Sequence, residues 1–133
     1  MKKLIQRSTS RKQLLQNTIN HFNSNNRSTS GAWDCLYRNK EGRSCAIGRE
    51  LPDKLTKQLD NLPKPGVCQQ DVFNKLPQRL QNMGQGFLIT LQNLHDKSQN
   101  WTKKGLSLVG KENVDSICQK FNIKGIKYPK HLQ

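Results

Sequence analysis

Apolar residues along this chain recur mostly at helical spacing. Over residues 10–22, Leu15, Ile19 and Phe22 fall at i, i+4 and i+7 with Leu14 beside them, and Ser10 stands where an N-cap belongs. This predicts an amphipathic helix with basic flanks. The Asn/Ser/Thr-rich stretch 21–31 reads as a loop. Leu51, Leu55 and Leu59 mark a second helix, with Pro52 suited to its first turn and Asp53 complementing its dipole. Asn61-Leu-Pro-Lys-Pro-Gly66 breaks the chain. Shorter helices are expected over 70–76 and from Pro77 to about Met83, and Gly84 and Gly86 mark a bend. The clearest stripe follows, with Phe87, Leu88, Leu91, Leu94 and His95 on one face and Asn93 and Lys97 pointing away. Val114, Ile117, Cys118 and Phe121 predict a last helix from about Glu112. Beyond it, Ile123, Ile126 and Tyr128 either add a short strand or pack down.

The pattern changes between residues 33 and 47. Two short arms, 33–38 and 43–47, flank Asn39-Lys-Glu-Gly42, whose glycine suits the positive φ of a bulged hairpin loop. In that register Tyr37 lies opposite Cys45 and Cys35 opposite Ile47, so all four share one face while Leu36, Ser44 and Ala46 take the other. Cys35 and Cys45 then become diagonal neighbours, too far apart for a disulfide, so free thiols are expected. The expected fold class is α+β: a mostly helical single domain over 1–133, one short hairpin at about 33–47 packed on four or five helices, and flexible basic ends at 1–9 and 122–133.

Composition narrows the picture. Apolar residues make up 32% of the 133 positions, below the roughly 45–50% usual when glycine is counted, which implies a thin core and long polar helix faces. No run approaches the ~20 apolar residues of a membrane span. The basic start lacks an apolar middle, because Gln6, Arg7 and Arg11 interrupt it, so a soluble, cytoplasmic protein is expected.

Charge matters more. Lys and Arg number 23 against 9 Asp and Glu, a net +14. The excess lies at both ends: no acidic residue precedes Asp34, and Lys97, Lys103, Lys104, Lys111, Lys120, Lys124, Lys127 and Lys130 crowd the tail. Such a field draws polyanions and excludes a mimic of nucleic acid, which needs the opposite sign.

Candidate chemistry gathers on few residues. Arg38, Lys40, Arg43 and Arg49 cluster at the hairpin turn and its exit, near Tyr37 and Trp33; guanidinium forks match phosphate oxygens, and aromatic faces stack on bases. Lys103 and Lys104 follow Trp101 and repeat the pairing of cation and ring, although both tryptophans also suit the core. No zinc-finger, Gly-x-x-Gly or phosphate-loop consensus occurs, and Met83-Gly-Gln-Gly86 is a poor turn for a helix-turn-helix over 70–94.

Cys45, His95 and Asp96 admit a nucleophilic reading, with the thiol near a helix start and the histidine as base. Against it, Asp96 is adjacent in sequence to His95 and points about 100° away on a helix. A zinc site from Cys35, Cys45, His95 and a further ligand is a second reading, without the close Cys pairs that structural zinc favours. A packing role for these residues is the third, and the expected one. Neither metal nor cofactor is expected.

The string Cys35-x-Tyr37-Arg38, Gly42-Arg43-x-Cys45-Ala46-Ile47-Gly48, Leu51-Pro52-Asp53, then Leu91-x-x-Leu94-His95-Asp96 resembles a group of small uncharacterised proteins of bacteria and their phages. The likeness covers about the middle half of the chain, and the basic ends have no counterpart in it. It implies a phage or mobile-element origin and carries no activity. The function expected is therefore non-enzymatic binding of an anionic partner (nucleic acid, nucleotide or the acidic face of a host nucleoprotein) by an accessory protein that inhibits a host defence or host enzyme. The alternative is a thiol-dependent enzyme using Cys45 and His95.

Overall fold

A computed structural model describes residues 8–27, 37, 43–63 and 66–133. The elements run α1 (Arg11–His21), a 3-10 turn (Gly48–Glu50), α2 (Asp53–Asp60), α3 (Gln70–Lys75), α4 (Gln78–Gln81) and α5 (Gln85–Asp96). A second 3-10 turn (Ser98–Asn100), the strands β1 (Trp101–Thr102) and β2 (Gly105–Leu106), α6 (Leu108–Phe121) and a last 3-10 turn (Lys130–Leu132) follow. The fold is α+β and mostly helical.

Each helix starts where its sequence offers a cap or a conformational break. The Ser10 hydroxyl accepts the Gln13 N–H and opens α1; the Ser107 hydroxyl accepts the Gly110 N–H and opens α6. Gly84, with φ +92°, sets α5 in motion from Gln85. At its far end α6 stops on Asn122 in the left-handed conformation, and the Ile123 N–H returns to the Cys118 carbonyl. This helix begins four residues before the expected Glu112, because Gly110 there is a packing residue and not a breaker. A β-carbon at Gly110 would stand 2.4 Å from the Asn100 carbonyl oxygen.

The core lies where α5 packs between α1 and α6. Leu14, Leu15 and Ile19 meet Phe87, Leu88, Leu91 and Leu94 of α5, and Val114 and Ile117 close the far side. The C-terminus of α5 is buried, so its last carbonyls need donors. Arg27 and Trp101 both donate to the His95 carbonyl, and Asn100 and Trp101 donate to that of Leu94. Phe22 stacks edge-on to both the His95 and Trp101 rings. Trp101 is thus a core anchor at 5% exposure.

A second polar knot sits at Glu50, whose side chain is fully buried. Its carboxylate accepts the Ser8 N–H (2.7 Å) and hydroxyl (3.1 Å) and pairs with Arg79 at 2.9 Å, while Arg49 stands 3.6 Å away. Arg79 also donates to the Ser8 and Glu50 carbonyls. The entry to α1, the 3-10 turn at Gly48–Glu50 and α4 are thereby joined through one charge.

The expected hairpin needs correction. Residues 33–36 and 38–42 lie outside those described. The Cys45 N–H does donate to the Tyr37 carbonyl at 3.3 Å, the pair that the predicted register puts opposite. But Ser44 bridges Arg27 in parallel, and Ala46 and Ile47 turn directly into the 3-10 helix. The second arm therefore does not run as a strand to Ile47, and the predicted alternation is lost: Ser44 and Ala46 are buried along with Tyr37, Cys45 and Ile47. The antiparallel pair among the described residues is β1–β2, with Trp101 opposite Leu106 and Thr102 opposite Gly105.

The tail from Asn122 packs down. Gln16 holds it by two bonds, its amide donating to the Lys127 carbonyl (2.9 Å) and its oxygen accepting the Lys127 N–H (2.8 Å). The Tyr128 hydroxyl donates to Asp115, and His131 reaches the Leu106 carbonyl. No helix among the described residues is long and apolar enough to cross a membrane.

The Glu50 knot yields a stability prediction. Glu50→Gln keeps the shape but withdraws the charge that Arg79 faces. It should cost about 3 kcal/mol, the lower end for breaking a buried pair because the Arg79 side chain is 24% exposed. Urea melts of the two proteins would check this; unchanged midpoints would show that the pair contributes nothing.

Candidate anion-binding cleft

The binding residues expected at the hairpin are described only in part. Arg38 and Lys40 lie outside the described residues. Tyr37 is 4% exposed, and its backbone N–H donates to the Asp60 carboxylate, so its ring offers no face for stacking. Burial, and then the nearby Cys45 and Asp60, push its phenol well above the ordinary range. Arg49 is half-buried against Glu50, and Arg43 is exposed; neither lines the clefts described below. Lys103 and Lys104 are exposed at the β1–β2 turn, separated from the buried Trp101 ring.

The Cys45-Ala-Ile-Gly48 string is explained by packing. The Cys45 sulfur accepts the Gly48 N–H at 3.2 Å, Ala46 and Ile47 fill the core, and the Tyr37 backbone crosses directly over Gly48. A β-carbon at Gly48 would lie 2.0 Å from the Tyr37 carbonyl oxygen, so only glycine fits. Cys45 is 1% exposed, and desolvation pushes its thiol up to about 12 against the weaker opposing pull of the Gly48 hydrogen bond. A thiol in that state is a small packed hydrophobe and a poor nucleophile.

His95 is fully buried and shares a bond of 3.0 Å with Asp96 through Nδ1, while its Nε2 has no hydrogen-bond partner among the described residues. The adjacent carboxylate therefore does reach the imidazole, contrary to the expectation from helical geometry. No hydrogen bond joins the ring to Cys45. Among the described residues no three His, Cys, Asp or Glu side chains come together to hold a metal, and Cys35, which the zinc reading requires, lies outside them.

A cleft lies elsewhere, where the two ends of the chain meet. Its walls are one side of α1, the loop after it, the β1–β2 turn and the tail, and it encloses about 640 Å³, within the range of small-molecule sites. Lys12, His21, Lys104 and Lys127 line it, and among the described residues no carboxylate does. Each cation is placed by a local device. α1 presents Lys12 and Gln16 one turn apart, the Gln16 amide fixes the tail at Lys127, and Gly125 (φ +84°) lets the tail pass Lys12. A β-carbon there would stand 2.8 Å from the Lys12 Nζ. Lys12, Lys104 and Lys127 have no ion-pair partner among the described residues. His21 sits at the rim, its ring edge-on to Phe22; burial there, and then the charges of Arg49 and His95, lower its pKa below 6.5.

Of the candidate binding residues that are described, Lys104 alone lines this cleft. Lys12 and Lys127 were visible as members of the two basic ends, but nothing local marks them as neighbours. No family model matches the chain, and neither a curated protein nor a solved structure does.

The burial of Cys45 predicts a labelling pattern. With iodoacetamide at mildly alkaline pH, exposed Cys68 should be alkylated quickly and Cys45 only after unfolding, as peptide mass spectrometry would resolve. Rapid alkylation of Cys45 in the native protein would restore the nucleophile reading.

Proposed function

We propose that the protein acts by binding a phosphate-bearing anion, nucleic acid or nucleotide, and performs no chemistry on it. The observation that carries this reading is the cleft between α1 and the tail, lined by Lys12, Lys104, Lys127 and His21 and, among the described residues, by no carboxylate. Lysines whose charge no partner offsets make a favourable potential for phosphate, and a concave wall strengthens it by focusing the field. The net charge of +14 adds long-range attraction. The buried thiol of Cys45, raised to about 12, argues against the thiol-dependent alternative. The setting we attach to this activity is that of a phage or mobile-element accessory factor that occupies nucleic acid needed by a host defence or host enzyme. The motif resemblance supports that setting.

Binding of a labelled oligonucleotide, followed by fluorescence anisotropy over a salt series, tests the reading. Lys12→Glu combined with Lys127→Glu should weaken binding about tenfold or more at low salt and flatten the log–log salt slope by about 1.5, since two phosphate contacts are lost. Absence of any salt-dependent association of the unaltered protein with nucleic acid or nucleotides would overturn it.

The lowered pKa of His21 sets the sign of a pH effect. The free protein holds the imidazole neutral, whereas a phosphate in the cleft favours the imidazolium and raises that pKa. Binding then takes up a proton, so affinity should climb as pH falls below 6.5. The stability of the unliganded protein should move the opposite way, falling over the same window because the unfolded chain is protonated first. His21→Gln should abolish the pH dependence of affinity; an unchanged profile would remove His21 from the site.

A further inference from the structure

The first cleft does not end at Lys12. A second, of about 430 Å³, shares that side chain and lies between the start of α1 and the first residues of the tail. Lys12 lines both. The second also contains Lys124, Arg11, Arg79 and Phe121 and, like the first, no carboxylate among the described residues. Two of its cations are already engaged. Arg11 donates to the Met83 carbonyl at 2.7 Å and lies over the Phe87 and Phe121 rings, and Arg79 holds Glu50. Lys124 is exposed with no ion-pair partner among the described residues. Each cleft has one half-buried aromatic ring in its wall, Tyr128 in the first and Phe121 in the second.

We infer that the two clefts form one track for single-stranded nucleic acid, with Lys12 at the junction and Lys104 with Lys127 and Lys124 at either end. This rests on the phosphate-binding reading above and adds the form of the ligand. A compact nucleotide needs only one cleft and leaves the lysines of the other without a purpose. A duplex presents its phosphates on a wide convex cylinder, which does not enter concave walls of this size. A single strand meets both conditions: it is thin enough to enter the clefts, and its backbone can follow a line of cations from one to the other. Lysine suits such a track because it holds phosphate as a point charge without demanding one orientation, so the contact tolerates any sequence.

The test is affinity against length, with labelled oligothymidylates from two to about sixteen nucleotides, the upper range for one small binding module. Affinity should rise with length and level off once both clefts are filled. Lys124→Glu should weaken the longest oligonucleotide about tenfold and leave the dinucleotide unchanged, whereas Lys104→Glu should weaken both. Both lysines are exposed, so these substitutions leave the core intact. Affinity independent of length, with Lys124→Glu silent, would overturn the track and leave a compact ligand in the first cleft. Duplex bound as tightly as single strand of equal length would overturn the choice of strand. No binding of any probe would remove the phosphate reading itself.

Discussion

The buried carboxylate of Glu50 constrains this fold more than any other single group. An ionised side chain without solvent must be paired and hydrogen-bonded at nearly every lone pair, or folding fails at that point. Here Ser8, Arg79 and Arg49 meet the demand, and they come from three separate parts of the chain. The consequence reaches well beyond the pair. Ser8 stands two residues before the Ser10 cap of α1, so the entry to that helix is tied to where Glu50 lies. With α1 placed, Lys12 and Gln16 face one side, and Gln16 seizes the tail at Lys127. The basic walls of the cleft are thus held by a network that contains the protein's most buried negative charge.

A comparable logic governs the rest of the polar interior. α5 ends inside the protein, and its last carbonyls are satisfied by a guanidinium, an amide and an indole from flanking segments. Those donors also bring together Arg27, the 3-10 turn before β1, and β1 itself. Glycine serves close approach twice, at Gly48 beneath the Tyr37 carbonyl and at Gly110 beneath that of Asn100. Both sites join segments through backbone contact, which leaves no apolar pattern in the sequence. A Cys-x-x-Gly string next to an aromatic strand suggests chemistry at first sight. Its local geometry is that of a tight turn whose thiol caps an N–H and fills space.

The helices were legible because a stripe of leucines is a local property. Leu14, Leu15 and Ile19 announce α1, and Leu88, Leu91 and Leu94 announce α5, whatever they pack against. The start of α6 was not legible, since exposed Leu108 and Val109 interrupt the stripe and Gly110 reads as a breaker. The second arm of the expected hairpin, 43–47, was misjudged for a related reason. Alternation over five residues is weak, and burial of Ser44 and Ala46 on the supposed outer face erases it. β1 and β2, at two residues each, are too short to show any period. At the candidate site, Lys104 was found beside a tryptophan that turned out to be core, while Tyr37 and Arg49 were drawn inward to Asp60 and Glu50.

By itself, then, the sequence determined the apolar stripes of the helices, the cap of α1 and a charge of +14 concentrated at the two ends, because spacing, capping and composition act over a few residues or over none. Tertiary structure alone decided that those ends lie side by side. Lys12 and Lys127 are more than a hundred positions apart, and what joins them is one glutamine amide paired with the tail backbone, together with a glycine that lets the chain pass a lysine. Contacts of that kind depend on where α1 sits on the core, and that position comes from side chains scattered along the chain that meet only once it has folded.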